Sequence, residues 1–248
     1  MNRHKKYKKN RRQKWPLVLL VLAVLLATAF ILMRFVFVVR SVELAGDVSL
    51  SAEEVIRRAH IGFGESIFRV DEDEIRRSVN STGEIRYEGV EPAYPATLVL
   101  HVSQRRPAAM AFHSGKLLIL DSDACAMKSV ASAPDSDMVF ASDFDILNFS
   151  IGETVSADDD QIADFCAVMQ AIEYHGASGY VSELKVENTH DLRIITRRGI
   201  EVTLGSRENM MDKIAWMKSA VADLENRGQH GGLLDVSSGT KADYRASN

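Results

Sequence analysis

An uninterrupted apolar run, close behind a cluster of cations, constrains this chain more than any other feature. Residues 17–33 carry no charge, and five further apolar residues follow the single Arg34. At a helical rise of about 1.5 Å per residue, about 20 such residues cross a hydrocarbon core of roughly 30 Å. Trp15 lies at the near boundary, where indoles favour the headgroup layer, and Arg34 can extend to phosphate at the far one. The run predicts a single transmembrane helix over residues 15–39, with Trp15 and Arg34 as anchors.

The charges on either side of the run predict how the helix is oriented. Eight of the first fourteen residues are Lys or Arg, and none is acidic. Because such clusters stay in the cytoplasm, residues 1–14 are predicted to be a basic cytoplasmic tail and the body to face outward. Residues 41–248 hold 20 Lys and Arg against all 34 Asp and Glu, a net charge of −14. The tail and the body therefore belong in different surroundings.

Two other interpretations of the N-terminus are weaker. Ala27-Thr28-Ala29 offers a cleavage site of the small-x-small kind, but the apolar part of a signal peptide is normally only about 7–15 residues long. Cleavage there would also leave a mature chain with an apolar N-terminus. A basic cluster is typical of nucleic-acid contacts too, but a body of charge −14 would repel a polyanion. We therefore expect a retained anchor in the lipid bilayer and no nucleic-acid partner.

The outer body separates into two parts, and the first covers residues 40–107. Ser51 and Asp71 each have a Glu three positions later, which is the spacing of a helix capping box. Apolar residues at every second position from Leu98 to Val102 are typical of a strand with one buried face. Together with strands before and after the two helices, these signals predict a compact domain with the order β-α-α-β-β.

The second part, residues 108–248, has short apolar runs and two helical stretches. The spacing of its apolar residues predicts a helix from Ile162 to Gly176, and a longer one from Ser206, its expected cap, to Gly228. Short strands and a hairpin surround these helices. The sequence thus predicts an α+β fold: a single transmembrane helix, a β-α-α-β-β domain and a mixed β domain with two packed helices.

The last two predicted strands, residues 233–236 and 240–244, end the chain. A C-terminal strand lies at a sheet edge unless something covers it, and its unpaired N–H and C=O groups can accept a strand from another chain. Tyr244 either supplies an aromatic anchor for such a partner or packs on its own domain, and the sequence leaves both open. The residues predicted to bind a partner are Thr240, Lys241, Ala242, Asp243, Tyr244 and Arg245.

A search for catalytic groups gives one weak candidate. Ser182-x-x-Lys185 has the spacing that penicillin-binding proteins use for acyl transfer, but the Ser-Asp-Asn and Lys-Thr-Gly elements of those enzymes are missing. The local sequence is typical of a strand, whereas the acylating serine needs the start of a helix. We expect no catalytic residue and no small-molecule substrate.

Metal and cofactor motifs are equally weak. The seven histidines form no His-x-x-x-His pair, and the chain has no Cys-x-x-Cys pair and no glycine-rich phosphate loop. Asp121-x-Asp123 begins like a calcium loop but lacks the later ligands. Cys125 and Cys166 could be oxidised outside the membrane, but Cys166 falls on the apolar face of its helix, which favours a free thiol. We expect no metal and no cofactor.

The motifs resemble those of the bacterial cell-division protein family FtsQ/DivIB over nearly the whole chain. The most specific stretch is Pro95-x-Thr97-Leu98-x-Leu100-x-Val102-x-Gln104-Arg105-x-Pro107-x-Ala109, and supporting matches are Val42-x-Leu44-x-Gly46, Leu204-Gly205 and Leu234-Asp235-Val236. Two positions depart from the family pattern. Gln104 stands where the family usually has Glu, and Ser122-Asp123-Ala124 stands where a glycine turn is expected.

The resemblance implies a non-enzymatic scaffold of the division septum, held in the cell membrane by a single pass with a cytoplasmic N-terminus. It implies a POTRA domain at residues 40–107, an FtsQ/DivIB-type β domain at residues 108–248, and membrane partners of the FtsB/DivIC and FtsL types. Two alternatives stay open. One is a membrane-anchored acyl-transfer enzyme, and the other is a POTRA-type chaperone that passes extended polypeptide to a transporter.

Replacing Ser182 with Ala separates the scaffold from the enzyme. A scaffold uses no nucleophile. In cells depleted of the natural protein, Ser182→Ala and Lys185→Ala should therefore each support division as well as the parent chain does. Cell length and the number of septa, measured at matched expression levels, compare each variant with the parent chain. A filamentous phenotype with either variant would favour the enzyme.

Overall fold

The computed structural model describes residues 15–134, 137–186 and 191–246, so the predicted cytoplasmic tail lies outside the described residues. Helix α1 (Trp15–Phe35) has 21 residues, and its side chains are exposed along its whole length. At about 1.5 Å per residue it is roughly 31 Å long, enough to span a hydrocarbon core. It ends four residues before the predicted 39, because Val39 is buried in the next domain, where its N–H donates to the carbonyl of Glu65 at 2.9 Å.

The first domain after α1 has the predicted order β-α-α-β-β. Its elements are β1 (Ser41–Ala45), α2 (Ala52–Arg58), α3 (Glu72–Asn80), β2 (Ile85–Ala93) and β3 (Thr97–Gln104). The strand order is β1-β3-β2, with β1 parallel and β2 antiparallel to the central strand. Leu98, Leu100 and Val102 of β3 are buried beneath the two helices, as their alternation predicts.

Both predicted helix starts are present, and each shows one of the two hydrogen bonds of a capping box. The hydroxyl of Ser51 accepts the N–H of Glu54 at 3.3 Å, and the carboxylate of Asp71 accepts the N–H of Glu74 at 3.0 Å. The side chain of Glu54 does not return to its cap residue but pairs with Arg58 one turn later. An i,i+4 pair thus takes the place of the reciprocal capping bond.

The second domain is a nine-stranded mixed sheet with two helices. Its elements are β4 (Ala109–His113), β5 (Lys116–Leu120), β6 (Ala126–Val130), β7 (Val139–Ser142), α4 (Asp159–His175), a 3₁₀ turn (Ser178–Tyr180), β8 (Val181–Lys185), β9 (Leu192–Thr196), β10 (Glu201–Gly205), α5 (Met210–Asn226), β11 (Leu233–Asp235) and β12 (Asp243–Arg245). The strand order is β12-β11-β10-β9-β8-β7-β4-β5-β6. Helices α4 and α5 pack on each other, and their apolar faces share one large core with the sheet. The fold is α+β, as predicted.

The start of α5 differs from the prediction. Ser206 does not cap the helix, which begins at Met210 after Asn209, a residue with a left-handed φ of 53° and no side-chain capping bond. Instead, the carbonyl of Ser206 accepts a hydrogen bond from the ammonium group of Lys213 at 2.7 Å. Burial lowers the pKa of Lys213, whose side chain lies inside the domain. The buried lysine therefore ties the loop before α5 to its first turn.

A buried carboxylate joins the two domains. Asp121 is only 2% exposed and pairs with two arginines of the first domain, the buried Arg105 and the half-exposed Arg86. Its other oxygen accepts the backbone N–H groups of Asp123 at 3.0 Å and Cys125 at 2.8 Å. The Asp121-x-Asp123 sequence is thus an ionic junction in this fold, and Arg86 also pairs with Asp123.

Two glycines let the domains approach closely around this junction. Gly83, in the first domain, has a φ of +70°, and a Cβ there would overlap the carbonyl of Met127 in β6. Gly152, in the second domain, has a φ of +86°, and a Cβ there would overlap the carbonyl of Asn80 at the end of α3. Backbone lies against backbone at both contacts, so side chains larger than hydrogen are excluded.

Removing the Asp121 carboxylate should destabilise the protein strongly. Asp121→Ala leaves Arg105 buried without its counter-charge, and such a loss typically costs about 3–5 kcal/mol. Asp47, exposed and in the first domain, gives a matched control, with an expected change for Asp47→Ala within roughly 0.5 kcal/mol. Thermal unfolding of the full chain in nanodiscs measures both. Equal stability of the two variants would contradict a structural role for the junction.

Candidate partner-binding edge

Strand β12 lies at one end of the nine-stranded sheet. It pairs antiparallel with β11, with Leu233 opposite Arg245, Leu234 opposite Tyr244 and Asp235 opposite Asp243. The strand starts at Asp243, three residues later than the predicted Thr240, and it includes Arg245. Of the six residues predicted to bind a partner, three are therefore in the edge strand, and the other three lead into it.

A hydrogen-bonded turn delays the start of this strand. The carboxylate of Asp235 accepts the N–H of Ser237 at 2.9 Å, and the carbonyl of Val236 accepts the N–H of Gly239 at 3.0 Å. The N–H of Thr240 then donates to the hydroxyl of Ser238 at 3.3 Å. The hydrogen bonds from Ser237 lower the pKa of Asp235. Backbone committed to this turn is not available for the ladder, so Thr240 lies outside the strand.

The side chain of Tyr244 is used within its own domain. Its hydroxyl donates to the carbonyl of Gly231 at 2.9 Å, and the half-buried ring packs against the main core. A Cβ at Gly232 would stand 2.8 Å from the ring and hydroxyl of this tyrosine, so the glycine leaves room for it. Of the two roles that the sequence left open, the structure shows the packing role. What β12 offers to a partner is its backbone and the exposed side chains of Asp243 and Arg245.

Charged and apolar groups surround the open backbone. Lys241 pairs with Asp243 at 2.6 Å, and this contact raises the pKa of the lysine. Leu233 of β11 is 51% exposed and lies opposite Arg245, on the sheet face away from the buried Leu234. The edge therefore combines backbone groups, both signs of charge and one exposed apolar side chain.

The other end of the same sheet is covered over the first two residues of β6. In β6 the N–H of Ala126 donates to the carbonyl of Glu153 at 2.9 Å, and its carbonyl accepts the N–H of Gly152 at 2.7 Å. The next carbonyl, of Met127, lies against Gly83 of the first domain. Within the described residues, by contrast, no strand pairs with the outer side of β12. The edge at β6 is thus partly covered by other segments of the chain, whereas in the described part of the chain the edge at β12 is not paired with a further strand.

The first domain also has two sheet edges. The ladder of β2 is interrupted between Tyr87 and Gly89, and the strand contains Pro92, which has no N–H to donate. The N–H of Tyr87 is already engaged by the side chain of Asn80 at 2.9 Å. β1 has a regular ladder to β3 on one side, so its outer side is a second open edge, five residues long.

The weak catalytic candidate has a structural explanation. Ser182 lies in β8, and its hydroxyl donates to the carbonyl of Ile195 on the neighbouring strand at 2.9 Å. Lys185 is a partly exposed residue at the end of the same strand. The thiols of Cys125 and Cys166 are both free, and burial raises the pKa of each to about 11. Over the described ranges, no group of three or more His, Cys, Asp or Glu could hold a metal ion.

Comparison with known proteins adds two findings. Residues 37–105 match the family model of the POTRA domain of the FtsQ type. The chain is also 30% identical over 97 residues to the cell division protein FtsQ of Streptomyces bingchenggensis. That alignment covers 39% of this chain and 37% of the relative's length. The findings confirm the resemblance to FtsQ/DivIB that the sequence motifs indicate.

A Cβ at position 232 should loosen the edge strand. The Cβ of Gly232→Ala would stand 2.6 Å from the carbonyl oxygen of Arg245 and 2.8 Å from the Tyr244 ring, so it displaces both the strand backbone and the ring. Amide hydrogens of residues 243–245 should therefore exchange about tenfold faster, for a loss of roughly 1.4 kcal/mol. Gly179→Ala is the control, because a Cβ there meets nothing within 4 Å. Hydrogen exchange with mass spectrometry compares the two variants, and unchanged exchange in Gly232→Ala would show that the strand does not depend on the space at position 232.

Proposed function

Because residues 37–105 form a POTRA domain of the FtsQ type, we propose that this chain is a non-enzymatic scaffold of the division septum. It captures an extended outer segment of an FtsB/DivIC-type or FtsL-type membrane protein on the outer side of β12. The observation that carries the proposal is that β12 is paired on one side only, while the opposite end of its sheet is covered over the first two residues of β6.

The placement of the anchor supports a bridging role. Helix α1 precedes both domains and is long and apolar enough to cross a bilayer. The basic residues before it favour a cytoplasmic N-terminus, which puts the POTRA domain near the outer membrane surface and β12 in the distal domain. Partners of a septal complex are anchored in the same membrane. An edge in the distal domain would therefore meet the parts of those partners that extend away from the membrane.

Strand addition suits the chemistry of this edge. A strand paired on one side directs every second N–H and C=O outward, and an added strand satisfies them without any sequence requirement. Specificity then comes from neighbouring side chains. Arg245 favours an acidic partner residue, and the exposed Leu233 favours an apolar residue that reaches over the edge. A three-residue strand supplies few hydrogen bonds, so these side chains must contribute much of the affinity.

The two alternatives have less support. An acyl-transfer enzyme would need the hydroxyl of Ser182 aimed at a substrate, and this hydroxyl donates to the carbonyl of Ile195 within the sheet. A POTRA chaperone would be expected to carry tandem POTRA units, and the family model matches a single stretch, residues 37–105.

Photo-crosslinking from the edge tests the proposal in cells. With p-benzoylphenylalanine in place of Arg245, the full chain should form a covalent adduct with a partner of the FtsB/DivIC or FtsL type, because the benzophenone lies beside the added strand. The same substitution at Glu43, on the open edge of β1, is the matched control and should give no such adduct. Adducts from position 43 and none from position 245 would move the binding site to the first domain.

Truncation gives a quantitative counterpart. A chain that stops after Gly239 lacks β12 but keeps the buried Leu234 and Val236, so it should fold and bind the partner's outer segment at least about tenfold more weakly, a loss of roughly 1.4 kcal/mol. Tyr174→Ala, which changes a 76% exposed tyrosine on α4, should leave the affinity unchanged. Equal affinities of the truncated and parent chains would reject β12 as the site.

A further inference from the structure

The end of α1 is fixed to the first domain without a flexible linker. The N–H groups of Val36 and Phe37 both donate to the carbonyl of Leu32, at 2.9 and 3.2 Å. The guanidinium of Arg40 donates to the carbonyl of Phe35 at 3.1 Å, which places a cation at the C-terminal end of the helix. The direction in which the helix leaves the membrane therefore sets the position of the residues that follow.

A loop of the first domain is held against this exit. The N–H of Val39 donates to the carbonyl of Glu65, the N–H of Gly64 donates to the carbonyl of Val39, and both bonds are 2.9 Å long. The N–H of Ile67 donates to the carbonyl of Phe37 at 3.1 Å. Three backbone bonds thus keep residues 64–67 within a few residues of the helix end.

Exposed aromatic rings gather at the same place. The rings of Phe37, Phe68 and Tyr94 form a triangle with centroids 5.6 to 6.0 Å apart. Phe68 is 52% exposed and Tyr94 is 61% exposed, and Phe63 on the same loop is 61% exposed. Large aromatic rings left in water in a cluster are unfavourable, but the headgroup layer of a bilayer is an environment that they prefer.

Between the loop and the last turns of α1 lies a groove of about 810 Å³. Its wall on the helix side is formed by Phe30, Met33 and Arg34, and its loop side includes Phe68 and Arg69. Phe30 lies five residues before the end of the helix, which is roughly 7.5 Å deeper along its axis. The groove therefore runs from the depth of acyl chains to the level of headgroups, apolar at one end and cationic at the other.

The two cations in this groove are not neutralised by the protein's own carboxylates. Over residues 15–134, 137–186 and 191–246, neither Arg34 nor Arg69 takes part in an ion pair. Glu65 also lines the groove, but its carboxyl carbon lies 2.6 Å from the position that a Cβ of Gly62 would take, so this side chain is folded back on its own loop. An anion can therefore pair with both arginines.

We propose that this groove binds an anionic phospholipid of the outer leaflet. Its phosphate lies between Arg34 and Arg69, and an acyl chain lies along Phe30, Met33 and Phe68. Lipid is the occupant because the groove is continuous with the exposed surface of α1, which is long and apolar enough to cross a bilayer. Two arginines favour phosphate, and apolar side chains beside them favour a chain attached to it. The bound lipid fixes the angle between the membrane and the first domain, and so the direction in which the distal edge points. The proposal rests on α1 spanning a bilayer and is independent of any partner of β12.

Depth-dependent fluorescence quenching tests whether the loop lies in the bilayer. The two natural tryptophans of the full chain are first replaced, by Trp15→Phe and Trp216→Phe. In this background, the single tryptophan of Phe68→Trp reports from the groove. Phe112→Trp reports from a 60% exposed site on β4 of the second domain. In nanodiscs of phosphatidylglycerol with brominated acyl chains, the first probe should be quenched and the second should not. Equal quenching of the two probes would overturn the proposal.

Lipid retention tests the headgroup contact. Full chains released into native mass spectrometry from detergent micelles that contain phosphatidylglycerol should carry the lipid, and Arg34→Gln with Arg69→Gln should lower the bound fraction roughly tenfold. Arg57→Gln with Arg106→Gln removes the same charge from exposed positions outside the groove and should leave retention unchanged. Phosphatidylcholine should be retained less than phosphatidylglycerol by the parent chain. Because every variant keeps the basic tail, equal retention by the two double variants would overturn the proposal.

Discussion

The buried carboxylate of Asp121 is the interaction on which the arrangement of this molecule depends. It receives two arginine side chains from the first domain and two backbone N–H groups from its own loop, so its charge is fully compensated inside the protein. A buried ion pair of this kind is weak evidence for stability, but removing one partner is costly because the other charge is left buried and unpaired. The junction thus joins the first domain to the start of the second domain at Asp121.

The junction lies between two features of the molecule, the end of α1 and the edge strand β12. At the membrane end, three backbone bonds and an arginine cap tie the first domain to the exit of α1. At the distal end, β12 presents backbone groups with no partner on their outer side in the part of the chain that the structure describes. The proposed scaffold role needs the edge of β12 at a defined height and direction, and the junction at Asp121 between the two domains is consistent with that need.

The sheet also has features that limit aggregation at its open edge. Long, flat and apolar edges invite aggregation, whereas β12 has three residues, of which Asp243 and Arg245 are charged, and the charged Lys241 precedes it. The start of the opposite edge, at Ala126 and Met127 of β6, is closed by residues 152–153 and by the approach of Gly83. The hydroxyl of Tyr244 bonds to the carbonyl of Gly231 and its ring packs on the core, so this side chain ties the short strand to its own domain.

The sequence by itself determined the anchor, the β-α-α-β-β order and the helix starts at Ser51 and Asp71, because a run of apolar residues, alternation and capping act over a few neighbouring positions. It did not determine where β12 starts, what caps α5 or what Asp121 binds. Each of these was decided by contacts between distant segments: the turn bonds around Asp235, the buried Lys213 and the arginines 16 and 35 positions before Asp121. The partners of such buried polar groups depend on how the chain packs in three dimensions, which no local pattern records.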